Sequence, residues 1–426
     1  MDVIKELLEG IPLPKMVKVK MAFSAKKVAD VEAAVRQELA KPGICDSIKP
    51  GMHIAVGVGS RGLANLPTLV QVLVDELKKR GAVPFVVPAM GSHGGATAEG
   101  QTEVLANLGV TEASAGCPIV SSMEVVEIGR LDNGLPVYID KNACSADGIV
   151  FIARVKPHTA FRGPNESGLV KMVAIGLGKQ KGAESCHSYG FKYMAEHIVA
   201  MTKIALARTP ILFGLATVEN AYDEIARIVA VPAADIIETD CKLQVEAKAN
   251  MPSLMFKQID VLIVDQIGKD ISGDGMDPNI TGRFPTPYAS GGPDVSKLVV
   301  LDLTDKTHGN ANGMGLADFG THRLANKVNF QMTYANGLTS TVVLPTHMPT
   351  ILESDYDAIR AAIKTCNARD YSRVRVVRIK DTLHLGEIMI SEAMLAEART
   401  IAGITVVGEP QAMKFDAAGN LVREED

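Results

Sequence analysis

Short apolar segments alternate with stretches of helical periodicity through the first half of the chain. In the helical stretches, leucine and valine recur on one face, while the apolar segments are rich in valine and isoleucine. The apolar segments are 53–58, 83–88, 149–153 and 211–217, and the helical patterns are 66–79 and 97–108. Strand, helix and strand in this succession predict a parallel sheet covered by helices.

Similar signals continue after residue 255. They predict strands at 260–265 and 298–303, a helix at 351–365, and a strand and hairpin in the tail 401–422. A segment rich in Gly, Pro and Asp at 268–293 separates the first two strands, and loops of that length inside a domain are usually functional. We therefore expect an α/β protein of two domains, 1–255 and 256–426. Both should have largely parallel sheets flanked by helices, with the active site in the interdomain cleft.

Composition narrows the functional classes. The 426 residues are 47% hydrophobic and 22% charged, which is typical of globular domains, and the net charge of −5 argues against a nucleic-acid binder. The six cysteines are scattered without a CxxC pair, which predicts reduced thiols. No apolar run approaches the roughly 20 residues that span a bilayer. We expect a cytoplasmic protein that binds neither nucleic acid nor membrane.

A glycine-rich motif, GxGxxG, occupies residues 57–62 after a predicted strand. This pattern is typical of dinucleotide-binding folds, which also place an acidic residue at the end of the next strand to bind the ribose. That position holds Pro88-Ala89-Met90, so the motif is weak evidence for NAD. Exposed amide groups and Arg61 could still bind phosphate or carboxylate, and a purely structural turn is equally compatible.

Three histidines lie in polar loops or turns after predicted strands, where active sites of parallel α/β proteins gather. They are His93 in Gly91-Ser92-His93-Gly94-Gly95, His158 in Lys156-Pro157-His158, and His187. Lys171 lies between the last two. Any one of them alone would more often be a surface residue. Cys186 beside His187 could suggest a thiol nucleophile, but no Asn or Asp that would orient the histidine is evident.

Taken together, these residues resemble the nickel-dependent lactate racemase family in order and approximate spacing. The similarity is strong over residues 50–200 and looser afterwards. The stretch 89–99 looks like the first histidine loop of that family and the helix that follows it. The matching positions are Ser60-Arg61, Gly91-Ser92-His93, Lys156-Pro157-His158, Lys171 and His187.

The resemblance implies a nickel-pincer nucleotide cofactor, a pyridinium mononucleotide with two sulfur arms. It implies that His187 is the protein ligand to nickel and that Lys171 can be covalently tethered to the cofactor. His93 and His158 match the two acid/base histidines, and Arg61 matches an arginine that anchors anionic groups. Residues 1–255 would then bind the cofactor and catalyse, while 256–426 would close over the substrate.

The implied reaction is racemisation or epimerisation of a 2-hydroxy acid by removal and return of hydride. Removing hydride from C2 leaves a planar 2-keto acid, and the hydroxyl proton needs a base of near-neutral pKa, which is histidine. Two enantiomers present their hydroxyls on opposite sides, which explains two histidines. A sulfur-rich site with one imidazole suits nickel. The expected partners are the small 2-hydroxy acid and, transiently, enzymes that make or insert the cofactor.

The sequence departs from the family pattern in three places. Val58 stands where the family commonly has an acid, and the segment 268–293 lacks a confident match to the family's substrate loop. In that segment Asn279 and Arg283 are candidates for binding a polar group of the substrate, and its aspartates are expected to be turn residues. The segment before Lys171 is unusually polar, and Ser167 there, with Ser60, is an expected cofactor contact. These departures leave the identity of the 2-hydroxy acid open.

Two other functions remain compatible with the sequence. One is a nicotinamide-dependent 2-hydroxy-acid oxidoreductase that uses the glycine-rich turn at 57–62. The other is a non-catalytic protein that carries or senses the nickel cofactor.

Overall fold

The computed structural model describes residues 3–60 and 62–423. The strands are β1 (Met16–Met21), β2 (His53–Val58), β3 (Val83–Pro88), β4 (Val125–Arg130), β5 (Pro136–Asp140), β6 (Gly148–Arg154), β7 (Ile211–Glu219), β8 (Ile225–Pro232), β9 (Gln258–Val264), β10 (Asp294–Val300), β11 (Phe319–Thr321), β12 (Thr350–Leu352), β13 (Val376–Ile379), β14 (Glu387–Ser391) and β15 (Ile404–Gln411). The helices are α1 (Val3–Leu8), α2 (Val31–Leu39), α3 (Leu66–Lys79), α4 (Ala98–Asn107), α5 (Glu112–Ala115), α6 (Lys141–Cys144), α7 (Leu169–Lys171), α8 (Lys179–His187), α9 (Met194–Arg208), α10 (Ile236–Asn250), α11 (Pro278–Thr281), α12 (His322–Asn326), α13 (Phe330–Ser340), α14 (Asp355–Thr365) and α15 (Leu395–Ala398).

Residues 24–251 form one compact unit around a five-stranded sheet of order β3-β2-β6-β7-β8. The first four strands are parallel, and β8 runs antiparallel to β7. The apolar face of α3 packs on this sheet, with Leu69, Leu73 and Leu77 in the same core as Val56 and Val150. Helix α4 begins after Thr97, whose hydroxyl accepts a hydrogen bond from the Gly100 amide. The predicted parallel sheet covered by helices is therefore confirmed here.

The second unit combines the residues up to Phe23 with those from Pro252 onward. Its eight-stranded sheet has the order β12-β11-β10-β9-β13-β14-β1-β15. The first five strands are parallel, whereas β14, β1 and β15 join by antiparallel pairing. The sequence reading placed residues 1–23 with the first domain, but β1 pairs with β14 and β15. Strand pairing between distant segments leaves no local signal in the sequence.

One predicted element in this unit is wrong at its start. Residues 351–365 are predicted as a single helix, but Thr350–Leu352 form the edge strand β12 and α14 begins only at Asp355. The Ser354 side chain accepts a hydrogen bond from the Asp357 amide, so it caps the helix four residues later than expected. The predicted hairpin in the tail is present as a bridge between Phe415 and Leu421.

Within residues 3–60 and 62–423, no helix combines the length and apolar character that crossing a bilayer requires.

Candidate active site at the carboxyl edge of the five-stranded sheet

The loops that carry His93 and His158 leave the same edge of the five-stranded sheet. Strands β3 and β6 both pair with β2, so β2 separates the two loops. Two strand spacings correspond to about 10 Å, so the strand ends that carry the two loops lie about that far apart. The segment that follows β2, with the partly buried Ser60, lies at the same edge. Arg61, the predicted anion anchor, lies outside the described residues.

The His158 ring is held by a backbone amide on one side and by Lys171 on the other. The Ala160 amide donates to Nδ1 at 3.0 Å, and Lys171 Nζ lies 2.8 Å from Nε2. Because Nδ1 accepts a hydrogen bond, the proton of a neutral ring must be on Nε2. An Nε2–H group can only donate to Lys171, so this geometry favours the neutral amine of Lys171.

The surroundings of His158 favour its uncharged form. Burial lowers the pKa of His158 well below its usual 6.5, and the nearby positive charges of Lys156 and Arg162 lower it further. The ring is therefore neutral at pH 7.

The backbone at Lys171 is set by a buried carboxylate from another helix. Asp240 of α10 accepts hydrogen bonds from the Leu169 amide at 2.6 Å and from Asn165 Nδ2 at 2.9 Å. These bonds cap the short helix α7, which ends at Lys171. Asp240 approaches so closely that a side chain at Gly168 would collide with it. A π-helical turn, Met172–Gly176, follows immediately, and such turns are frequent at functional sites.

His187 ends α8 with its ring in a defined orientation. Its Nδ1 lies 2.6 Å from the Ala183 carbonyl oxygen, so Nδ1 carries a hydrogen and donates a hydrogen bond to that oxygen. In the neutral ring the lone pair is then on Nε2, the arrangement that suits a metal ligand. Burial lowers the pKa of His187, only partly opposed by the Ala183 hydrogen bond, and this too favours the neutral ring.

Phe191 brings His158 and His187 into one cluster. Its ring centroid lies 5.5 Å from that of His187 and 6.1 Å from that of His158. Phe161 packs on His158, with a distance of 4.4 Å between the two ring centroids. Sequence reasoning missed both phenylalanines, because a single aromatic residue in a loop carries no pattern. Together with the Lys171 contact, they place His158, Lys171 and His187 side by side.

Glu166 was also missed, although it organises the His158 loop. Its carboxylate is 1% exposed and accepts hydrogen bonds from the His158 amide at 2.9 Å and the Gly163 amide at 3.3 Å. Lys248 Nζ approaches at 2.6 Å and Arg162 Nη1 at 3.4 Å. The polarity of the segment 162–167 was the available signal.

The Cys186 thiol is buried and is not placed to act as a nucleophile. Its Sγ lies 3.4 Å from the Met194 sulfur, and burial raises the pKa of the thiol to about 12. A thiol in this state is a poor nucleophile. Burial and the Met194 contact therefore give Cys186 a packing role.

Residues 7–197 match the family model described as the lactate racemase N-terminal domain. This match confirms the resemblance to the lactate racemase family over those residues. A comparison with the curated proteins finds no match.

The fold agrees with a solved structure, the lactate racemase apoprotein from Thermoanaerobacterium thermosaccharolyticum. The TM-score is 0.54 at 15% identity, over 86% of this chain and 98% of that chain. This likeness confirms the predicted α/β fold.

Within residues 7–197, His93 is exposed in a loop whose backbone is firmly held. Its amide donates to the Met90 carbonyl at 3.1 Å. Ser167 is partly buried and pairs through its backbone with Lys156, two residues before His158. Ser60, His93 and His158 thus lie on segments that leave one edge of the five-stranded sheet. Arg61 lies outside the described residues.

The GxGxxG motif at residues 57–62 does not form a dinucleotide-binding turn. Gly57 is already inside β2, and α3 begins only at Leu66, four residues after Gly62. A dinucleotide fold needs the helix to open within the motif, so that its N-terminus meets the pyrophosphate. The spacing therefore disfavours the NAD-dependent oxidoreductase.

The two candidates in the second unit are engaged in its own structure. Arg283 donates to the Val295 carbonyl at 3.0 Å and to Asp318 at 2.8 Å, so its guanidinium fastens the loop to β10. Asn279 Nδ2 donates to Asp277 at 2.8 Å, and Asp277 caps α11. Substrate contacts by Asn279 and Arg283 stay predictions, and these hydrogen bonds speak against Arg283 in particular.

The described residues contain no group of three or more His, Cys, Asp or Glu side chains that could hold a metal ion.

Proposed function

We propose that this protein is a racemase or epimerase of a 2-hydroxy acid that works through a nickel-pincer nucleotide. The observation that carries the proposal is the convergence of His158, Lys171 and His187. Lys171 Nζ lies 2.8 Å from His158 Nε2, and both histidine rings pack on Phe191. The match of residues 7–197 to the model of the lactate racemase N-terminal domain supports the same reaction class.

The donor set fits the cofactor. His187 offers an Nε2 lone pair, because its Nδ1 proton is committed to the Ala183 carbonyl. Lys171 offers an amine that the His158 contact favours in its neutral, nucleophilic form. Ser60 and Ser167 would contact the nucleotide, and Arg61 would anchor an anionic group. When bound, the nickel-pincer nucleotide would supply reversible uptake of hydride from carbon.

The histidines would manage the hydroxyl proton. His93 and His158 would lie on opposite sides of the substrate, one accepting the proton and the other returning it in the reverse sense. His158 Nε2 is available for proton transfer only when its contact with Lys171 is released. Its ring proton must also move from Nε2 to Nδ1, which requires the Ala160 hydrogen bond to break. Nε2 could then accept a proton.

The second unit would close over the substrate and select it. The segment 268–293 differs from the expected family pattern, so the proposal covers the class of 2-hydroxy acids and names no single member. Enzymes that make or insert the cofactor would be transient partners.

The decisive experiment is nickel content per chain after expression in a host that makes the pincer cofactor. We expect about one nickel per chain in the wild type, because a single imidazole ligand occurs once in the proposed site. His187→Ala should abolish it. His53→Ala is the matched control, because His53 is exposed at the opposite, amino end of β2.

Equal nickel in His187→Ala and the wild type would refute the assignment. If the wild type binds nickel and His187→Ala loses it, but the wild type inverts no 2-hydroxy acid, the result would favour the carrier or sensor instead. A loss of inversion in both His93→Ala and His158→Ala, with nickel retained, would support the acid/base pair.

A further inference from the structure

Three polar side chains are fully buried beneath the loop that carries His93. They are Lys179 at the start of α8, Gln101 in α4 and Asp140 at the end of β5. Neither the sequence motifs nor the proposed chemistry uses them. Lys179 also has φ of +55°, a left-handed conformation that is unfavourable for a residue with a side chain. Strain and buried charge at one residue suggest a role beyond packing.

Three acceptors surround the Lys179 ammonium. The Pro88 carbonyl oxygen accepts at 2.6 Å, Gln101 Oε1 accepts at 2.9 Å, and Asp140 Oδ2 lies at an ion-pair distance of 3.3 Å. Burial lowers the pKa of Lys179 and raises that of Asp140, while their mutual attraction opposes both shifts. Pro88 is the last residue of β3, so the ammonium joins the end of that strand to α4 and α8.

Gln101 connects the Lys179 ammonium to the His93 loop by hydrogen bonds. Its Nε2 donates to the Gly91 carbonyl at 2.8 Å and to the His93 carbonyl at 3.2 Å. A glutamine amide can be turned either way round, and the Lys179 donor decides its orientation. Because Oε1 faces the ammonium, the amide nitrogen must face the two loop carbonyls.

We propose that Lys179 and Gln101 are positioning residues that hold the backbone of the His93 loop in place for proton transfer. The proposal rests on the proposed function only for the role of His93 in proton transfer. The ammonium is needed because a charged donor holds Oε1 more firmly than a neutral one. An apolar trio of similar volume could pack the same space, but it would remove the Gln101 donor from the Gly91 carbonyl and leave the His93 carbonyl with the Ala96 amide at 3.3 Å.

The first test is Gln101→Glu, which has nearly the same shape and still accepts from Lys179. It replaces the amide donor with an oxygen that faces the two carbonyls. We expect amide hydrogen exchange in peptides covering 90–97 to accelerate about tenfold, with no change in peptides covering β7. Gln180→Glu is the matched control, since Gln180 is the neighbour of Lys179 and bonds only Glu184 among the described residues. It should leave exchange at 90–97 unchanged.

Lys179→Met is the second variant, and it should accelerate exchange at 90–97 because the Gln101 amide is then free to turn. In nickel-loaded protein, Gln101→Glu should lower kcat for inversion about 100-fold with KM and nickel content unchanged, the expected result of a misplaced acid/base group. A general loss of packing would instead speed exchange in β7 and lower nickel content.

Unchanged exchange at 90–97 in Gln101→Glu would overturn the proposal, as would wild-type kcat in that variant. If the wild type binds no nickel and inverts no 2-hydroxy acid, the proposed function fails. The exchange measurements still decide whether Lys179 and Gln101 hold the loop.

Discussion

Replacing Glu166 with glutamine should destabilise the unit formed by residues 24–251 through the His158 loop. The carboxylate receives donors on both oxygens, chiefly the His158 amide at 2.9 Å and Lys248 Nζ at 2.6 Å. A glutamine keeps one acceptor oxygen and turns an NH₂ group toward the donors on the other side. One buried donor is then left unsatisfied, and the remaining bonds lose their charge.

The magnitude follows from these two contacts. Loss of a charge-assisted bond to a backbone amide, with its donor left buried, costs about 2–3 kcal/mol. The Lys248 side chain is 41% exposed, so solvent screens that pair and it adds at most about 1 kcal/mol. For a domain of this size, a total of roughly 3 kcal/mol lowers the melting temperature by about 6–12 °C.

Calorimetry of Glu166→Gln beside Glu238→Gln measures this effect. Glu238 also pairs with a lysine, Lys242 at 2.7 Å, but its side chain is 74% exposed, so its replacement should leave the melting temperature unchanged. A Glu166→Gln protein with native circular dichroism that melts within about 2 °C of the wild type would refute the reasoning. It would mean that the His158 loop does not depend on the buried carboxylate.

Three further outcomes follow from the site. The free energy of unfolding should fall as the pH drops below about 6.5, because His158 binds a proton in the unfolded state and stays neutral in the folded state. The slope should be at most roughly 1.4 kcal/mol per pH unit for each histidine whose pKa is lowered in this way. His158→Gln should flatten this slope in urea titrations between pH 7 and 5, and an unchanged slope would contradict the burial argument. Cys186 should resist alkylation at pH 8 until the protein unfolds, since its thiol has a pKa of about 12; rapid labelling of native protein, mapped by mass spectrometry, would count against it. Phe191→Ala should destabilise by about 3 kcal/mol in the same urea assay, since its ring is 8% exposed, and a loss below about 1 kcal/mol would show that the ring is not packed as described.

Local patterns in the sequence were sufficient for much of the first unit. The strands β2, β3, β6 and β7 and the helices α3 and α4 follow from apolar runs and periodicity, because burial on a central parallel strand or on one helical face requires those residue types. The motifs around His93, His158, Lys171 and His187 were sufficient to suggest the lactate racemase family.

Tertiary structure decided what those residues touch. The Lys171 contact with His158, the Phe191 cluster and the buried Glu166 join positions far apart along the loop or on different elements. Which nitrogen of each histidine carries the proton depends on backbone groups at Ala160 and Ala183 that have no sequence signature.

The pairing of β1 shows the same limit at the scale of the fold. A six-residue strand near the N-terminus, in which apolar residues alternate with lysines, could join any open sheet edge, and this alternation is the same in each case. Only the assembled chain shows that it lies between β14 and β15. Apolar patterning in the sequence was therefore sufficient to locate the main strands and helices of the first unit, and its motifs to suggest the chemistry. The tertiary structure determined their partners, because those contacts depend on chain segments that periodicity does not relate.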